Sequence, residues 1–370
     1  AQLPMADLVL PMGISFYTFQ SMGYLIDVYW GKYPPERSLG KFALFVTFFP
    51  QLIQGPISRF GDLSQTLYTE HSWDSQQIAM GGMRVVWGFA KKLIVADRLA
   101  IPLRELVSAP EEYTGVYVLA VMFLYAVQLY ADFTGGIDIT IGVSQMLGVK
   151  VTENFERPFF SKNIAEYWRR WHITMGTWFR DYVFYPLSVS KTVLKLHQKA
   201  RAKLGEPGKR VSVYLCTTLL WFVTGVWHGA SWNFIVWGLL NGVVILVSQE
   251  CEPLYAKFHE KFPGLKGKFG YRLFEVGRTF VLMSAIRVLD VYRDVPLTFR
   301  QVGTIFTSFN PSVLWNGSFL ELGITGADWA VAAIGALAML VCSLLGRKEP
   351  MREQLVRRNP NVAWGGCVVL

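Results

Sequence analysis

Between Val213 and Val247 the chain carries no Asp, Glu, Lys or Arg, and an uncharged run of that length decides what solvent it folds in. A membrane crossing needs roughly 20 apolar residues, so the run provides one span plus a buried turn. Two further stretches read the same way: Val116 to Tyr130, nearly uncharged, and Trp329 to Leu345. Only 17% of the 370 residues are charged and 52% are hydrophobic, whereas a soluble domain carries about 25% charged residues. In lipid every backbone polar group must be satisfied internally, which leaves helices or a closed barrel. The expectation is an all-α, polytopic membrane protein, a single domain over residues 1–370.

The net charge of +9 comes from short basic clusters beside apolar runs: Arg169-Arg170, Lys191 to Arg210, Lys257 to Arg272 and Arg347 to Arg358. Cationic segments so placed face anionic membrane lipid. No cluster alternates with aromatic residues in a soluble context, which argues against nucleic acid. Cys216, Cys251, Cys342 and Cys367 form no CxxC pair and indicate neither a disulfide framework nor a zinc site. The chain opens without an initiator Met or signal peptide. Its Cys367-Val368-Val369-Leu370 end reads as the start of another span, so material is expected to be missing at both ends.

Along the chain, Leu8 to Tyr29 is broken by Pro11, Gly13 and Gly23 and predicts a bent or re-entrant segment, with Asp27 as a helix-end contact. Phe49 to Ile57, with two prolines and the amides Gln51 and Gln54, predicts an irregular buried loop. Ile78 to Leu103 predicts an interfacial or tilted helix. Tyr113 to Phe133 predicts a span, followed after Gly135-Gly136 by a half-span over Ile137 to Val149. Ala165 to Leu187, rich in both Trp and Arg, predicts an element at the interface or lining a polar cavity. Ser188 to Arg210, Cys251 to Tyr271 and Val295 to Gly326 predict loops, and Phe274 to Leu289 a further span.

Within the longest run stands His228, in Gly225-Val226-Trp227-His228-Gly229. An ionisable ring at membrane depth is costly and marks a functional site by default. An imidazole titrating near neutrality suits proton transfer. The competing reading is a core histidine hydrogen-bonded between helices. Trp227, Trp232 and Trp237 are five residues apart and do not share a helical face, so they read as packing around the ring. His172 and His228, 56 residues apart, lack the i, i+4 spacing of a helical zinc pair, and no metal is expected.

These segments resemble the membrane-bound O-acyltransferase family in four ordered blocks: Pro11 to Gln20 with Tyr24 to Tyr29; Phe49 to Ile57; Glu166-Tyr167-Trp168-Arg169-Arg170-Trp171-His172 with Arg180-Asp181-Tyr182; and Gly225 to Gly229. Within the family the text is nearest to the bacterial alginate and peptidoglycan O-acetyltransferases, with teichoic-acid D-alanyl transfer as a near relative. Arg287-Val288-Leu289-Asp290 stands where a more aromatic run is expected. The resemblance implies broken helices around a central cavity in the bacterial cytoplasmic membrane. It implies catalysis by His228, assisted by His172, which reads equally as part of an interface anchor. The implied donor is acetyl-CoA, with no bound cofactor. The implied acceptor is a polysaccharide or peptidoglycan hydroxyl, reached with an extracytoplasmic acetyltransferase partner. Trp171, Trp227, Gln51 and Gln54 are expected at the cavity. Arg169, Arg170 and Arg180 read either as anchors for coenzyme A phosphates or as side chains snorkelling to lipid headgroups, with Asp181 as the ion partner of Arg180. The alternatives are D-alanyl transfer from a carrier protein and, from another class, a transporter without chemistry.

Overall fold

The computed structural model describes residues 13–358, and the elements found there are helical. In chain order they are α1 (Ile14–Tyr29), α2 (Leu39–Val46), α3 (Phe60–Leu67), α4 (Ser75–Ala90), α5 (Asp97–Ser108), α6 (Val116–Met146), α7 (Ile164–Arg170), α8 (Ile173–Phe179), α9 (Tyr185–Ser188), α10 (Lys191–Leu204), α11 (Val211–His228), α12 (Trp232–Glu250), α13 (Glu252–Lys261), α14 (Phe269–Tyr292), α15 (Val295–Thr307), α16 (Gly326–Leu345) and α17 (Met351–Arg358). Among the described residues, four helical stretches are long and apolar enough to cross a membrane: Val116–Met146, Pro207–His228, Trp232–Glu250 and Gly326–Leu345. The protein is an all-α, multi-pass membrane protein.

The described residues form two compact units, one of residues 13–89, 136–153 and 352–358, the other of residues 90–135 and 154–351. In the first, Tyr24 packs on Phe42 and Phe60 with ring centroids 4.8 and 4.9 Å apart. The irregular Phe49–Ile57 segment is pinned by its amides. Gln51, buried, accepts from Gln20 Nε2 and donates to Ser58 Oγ, both at 2.7 Å. Asp27 closes the end of α1 by pairing with Lys32 at 2.6 Å, as expected. Arg84 bridges Asp138 at 2.8 Å and both carboxylate oxygens of Glu153 at 2.6 Å.

The second unit is built on the first half of α6, α7, the α11–α12 pair and α14. Its core joins Tyr117, Val121 and Met122 of α6 to Val288 and Tyr292 of α14. A π-helical turn at Lys91–Ala96 lets Lys92 reach both Asp97 (2.7 Å) and Asp132 (2.8 Å), which neutralises a carboxylate in mid-span. Gly335 of α16 lies on this turn, where a Cβ would stand 2.7 Å from Val95.

Several expectations fail for physical reasons. Gly135-Gly136 does not end a span: α6 runs unbroken for 31 residues, about 46 Å. A helical glycine costs only about 1 kcal/mol, and Gly136 has a use, since a Cβ there would stand 2.2 Å from Gln54 Oε1. Gly23 lies within α1 without ending it, Gly13 stands at its N-terminus in the left-handed region with φ 80°, and Pro11 and Cys367 to Leu370 lie outside the described residues. Val213 to Val247 holds not one span but two, α11 and α12, of 18 and 19 residues, each about 27–29 Å long. The three predicted loops contain α10, α13 and α15. Ser190 caps α10 by accepting from Val193 N, and Asp294 caps α15 by accepting from Leu297 N; such caps override polarity as a loop signal.

Candidate active site

The α11–α12 hairpin positions His228. α11 ends on that residue, the chain reverses through Gly229-Ala230-Ser231, and α12 starts at Trp232. Small residues let the two helices touch backbone to backbone. A Cβ on Gly225 would lie 2.5 Å from Phe234 O, and one on Gly238 would lie 2.3 Å from Trp221 O. Gly238 and Gly242 are four apart, so one face of α12 stays flat, as in close-packed membrane helix pairs. At the turn, a side chain on Gly229 would meet the Phe234 ring at 2.5 Å.

His228 is exposed at the end of this hairpin, yet rings surround it on its protein side: Trp237 at 4.6 Å, Trp227 at 4.8 Å and Phe234 at 6.2 Å between centroids. Its ring nitrogens take no hydrogen bond from any described residue. A histidine serving only to join helices would be buried and bonded on both sides. This one is exposed and stands against an aromatic collar. Trp227 and Trp237 serve the collar, whereas Trp232 is 75% exposed and does not.

His172 approaches the same collar from another element. Its ring centroid lies 6.1 Å from Trp227 and 4.9 Å from Phe133. The residue sits between α7 and α8 in the left-handed region, φ 48° and ψ 53°, which costs a non-glycine residue of order 1 kcal/mol. Asn154 holds the strain in place: its carbonyl accepts from Ile173 N at 2.9 Å, and its Oδ1 accepts from Thr174 N and Oγ1 at 3.0 and 2.9 Å. Just before it, Glu156 N donates to Arg170 O at 2.9 Å, and Phe155 and Trp171 form an isolated antiparallel bridge. His172 is 2% exposed and its Nδ1 has no hydrogen-bond partner. Burial, reinforced by the nearby His228 imidazole, pushes its pKa down from 6.5 to about 3, so the ring is neutral at physiological pH.

Arg287 fixes this arrangement from behind. Its guanidinium lies 4.1 Å from the centroid of Trp171, donates to Tyr167 Oη at 3.1 and 3.3 Å and stands 3.7 Å from Asp290. Trp168 Nε1 donates to Asn241 Oδ1 at 3.2 Å, and Asn241 Nδ2 donates to Trp237 O at 2.8 Å. One polar chain therefore ties α7 to the helix that carries Trp237. The sequence treated Arg287 only as a departure and passed over Asn154 and Asn241. The rule that singled out His228, a polar group in an apolar run, applies equally to Arg287 and Asn241.

The other expected residues separate. Trp171 is buried beneath Arg287 and stacks on Tyr167 at 5.7 Å. Arg170 is committed to Glu166 at 2.6 Å and Arg180 to Asp181 at 2.8 Å. Arg169 is exposed and forms no ion pair among the described residues. Gln51 and Gln54 belong to the first unit. Gln51 is fully engaged there, and Gln54 covers Gly136.

The profile of the membrane-bound O-acyltransferase (MBOAT) family matches residues 36–200, a segment that includes His172. A probable alginate O-acetylase of Pseudomonas syringae pv. tomato is 34% identical over 304 residues, 82% of this chain and 53% of the relative. The chain belongs to the membrane-bound O-acyltransferase family. A probable alginate O-acetylase of Azotobacter vinelandii is 39% identical over 65% of the chain and 45% of its own length. A peptidoglycan O-acetyltransferase of Helicobacter pylori is 31% identical over 69% of the chain and 50% of its own length. This MBOAT chain spans about half the length of the relatives it matches.

Proposed function

We propose that the protein is an O-acyltransferase that moves an acetyl group from acetyl-CoA towards a hydroxyl of a cell-surface polysaccharide or peptidoglycan. The observation that carries the reading is the exposed imidazole of His228, inside an aromatic collar and without a hydrogen-bond partner among the described residues. Its neutral nitrogen accepts the proton of the attacking hydroxyl as that oxygen adds to the thioester carbonyl. The tetrahedral adduct then collapses with loss of the C–S bond, and the imidazolium returns the proton to the thiolate, releasing coenzyme A as the thiol. Trp227, Trp237 and Phe234 keep water from the thioester. His172 acts as a positioning residue, a neutral ring that buttresses Trp227. Arg169 is the arginine of its segment available for the phosphates of coenzyme A.

Loop charge supports an orientation. Residues 191–210 hold seven Lys and Arg and residues 251–272 hold five, while residues 293–325 hold two and residues 229–231 none. Basic connections stay cytoplasmic. The ends of α11, α12 and α14 that adjoin residues 191–210 and 251–272 therefore face the cytosol, and the His228 turn lies towards the opposite side. The reading places the protein in the bacterial inner membrane, with an extracytoplasmic acetyltransferase receiving the group.

The test follows radiolabel from acetyl-CoA into polymer, using membranes that hold the full chain with its extracytoplasmic partner. Wild type is expected to label polymer, and His228→Ala to lose at least about a hundredfold, as expected of a removed general base. Persistent labelling by a stably inserted His228→Ala variant would overturn the catalytic assignment. Absence of label, with transfer of D-alanine from a carrier protein instead, would replace the donor.

A further inference from the structure

Helix α15 is inverted relative to a surface helix in water. Its buried face is polar: Thr298 and Gln301 are 3% and 1% exposed, and Thr304 beside them is half-buried. Each makes a hydrogen bond. Thr298 Oγ1 donates to Asp294 O at 2.6 Å, Gln301 Nε2 to Pro110 O at 2.7 Å and Thr304 Oγ1 to Gln301 O at 2.6 Å. The outward face is apolar. Pro296, Phe299, Gly303 and Phe306 recur at the three- and four-residue steps of one helical stripe. Phe299 is 56% exposed and Phe306 84%, and Phe309, just past the end of the helix, is 61% exposed. A Cβ on Gly303 would meet nothing within 4 Å, so the stripe stands clear of the protein.

The neighbours of the stripe identify its medium. α15 joins the end of α14 to the connection that leads into the membrane span α16. Leu297 and Val302 of α15 pack in one apolar cluster with Trp329, in the first turn of that span, and an indole at the end of a span marks the membrane interface. The 13 residues of α15 make about 20 Å of helix, too short to cross a hydrocarbon core of roughly 30 Å. A short helix with one apolar face, held where spans end, lies in the interface. A docked protein fits the stripe less well. Protein interfaces carry about one hydrogen bond per 100–200 Å² and draw on Trp, Tyr and Arg, whereas the side chains of this stripe hold no donor or acceptor. Arg300 on its flank is engaged with Glu111 at 2.7 Å. Acyl chains ask for no polar partner.

We infer that α15 lies in the lipid leaflet at this end of the spans, with Phe299, Gly303, Phe306 and Phe309 against acyl chains, and that it anchors two parts of the fold at a fixed depth. One is the start of α6. Thr304 Oγ1 accepts from Gly115 N at 2.9 Å and Asn310 Oδ1 accepts from Val116 N at 2.8 Å, amides at a helix N-terminus, where the backbone supplies no intrahelical acceptor. A Cβ on Gly115 would stand 2.2 Å from Ser308 O, so the chain entering α6 runs tight against the end of α15. The other is the floor of the aromatic collar, because Val295 packs against the cluster of Trp221 and Trp237. The inference stands whether or not the chain transfers an acyl group, since it rests on the stripe and these packing contacts alone.

Spin labels read the medium directly. The full chain without Cys216, Cys251, Cys342 and Cys367 is placed in phospholipid nanodiscs and labelled singly at Phe299→Cys, Gly303→Cys and Phe306→Cys. Glu112→Cys, in the exposed connection before α6, is the aqueous reference. Power saturation compares collisions with oxygen, which concentrates in lipid, and with a nickel chelate, which stays in water. Oxygen collisions are expected to prevail at the three stripe positions, reversing the order found at Glu112→Cys. Prevailing nickel collisions there would overturn the inference. So would low rates with both reagents, which would mean that a second copy or a partner protein covers the stripe. The anchoring is read at the His228 turn through a label on Ala230→Cys, an exposed position. Replacing the stripe by Phe299→Asn with Phe306→Asn should shift the oxygen-to-nickel ratio there, and Lys261→Asn at the other end should not. Phe306→Asn alone, at the most exposed of these side chains, should shift it in the same direction by less. A ratio that stays at its wild-type value in both stripe variants would overturn the anchoring role.

Discussion

At the scale of single residues, the two histidines differ in what surrounds them, and this gives them different tasks. His228 is exposed and has no hydrogen-bond partner among the described residues, which suits it to the proposed proton exchange with a substrate. His172 is enclosed, and its cation is disfavoured. That difference has a measurable consequence for stability. The unfolded chain binds a proton at His172 near pH 6.5, whereas the folded chain refuses it until about pH 3. Stability is therefore complete above about pH 7 and is lost as the pH falls below 6.5, by at most about 1.4 kcal/mol per unit from this residue. His172→Gln should flatten the acid limb of a thermal-inactivation profile measured between pH 7.5 and 5; an unchanged limb would show that His172 is protonated in the fold. Arg287 bears on the same place. Arg287→Met leaves Asp290 without its partner and removes the cation from Trp171, a loss on the order of 3–5 kcal/mol for a broken buried pair. Arg287→Lys should rescue little, because an ammonium cannot both lie flat on the indole and bond Tyr167. Melting midpoints in detergent would decide it, and a lysine variant as stable as wild type would refute the stacking argument.

At the scale of elements, the α11–α12 hairpin is where sequence and structure part company most clearly. The uncharged run was legible because composition acts locally, and so was His228 as the anomaly within it. That the run folds back on itself was not, because the evidence lies in Gly225, Gly238 and Gly242 meeting one another's helix, and a contact between helices leaves no periodicity in either strand of text. The left-handed turn at His172 was hidden for the same reason: Asn154, 18 residues away, enforces it. Glycine chemistry tests the account. Gly238→Ala forces a methyl to within 2.3 Å of the Trp221 carbonyl and should cost roughly 1–3 kcal/mol as the helices part, moving His228 off its collar and reducing transfer with it. Gly277→Ala in α14, where a Cβ meets nothing within 4 Å, should instead stabilise by up to about 1 kcal/mol through helix propensity. Melting midpoints and transfer rates measured on both variants would discriminate; equal effects would mean that the hairpin contact is not as close as the backbone places it.

At the scale of the whole molecule, the charge asymmetry of the connections organises everything else. The basic segments were legible in the sequence, but their helical form was not, since a cap such as Ser190 and a long-range packing partner decide it. Their sign is what matters for topology: one end of α11, α12 and α14 is flanked by cations, and the other end carries the His228 turn and residues 293–325. The proposed transfer from a cytosolic thioester to an extracytoplasmic acceptor through His228 requires that the two ends face opposite compartments. Single cysteines in a background without Cys216, Cys251, Cys342 and Cys367 measure this directly. Leu314→Cys, on a residue 61% exposed, should react with a membrane-impermeant maleimide in intact cells, and Lys203→Cys only after permeabilisation. The opposite pattern would point the His228 turn towards the cytosol, where no cell-surface polymer could reach it, and the proposed acceptor would fall with the orientation. Labelling of both residues in intact cells would place α10 outside as well, leaving its lysines no anionic inner leaflet to face and the donor no cytosolic route to Arg169.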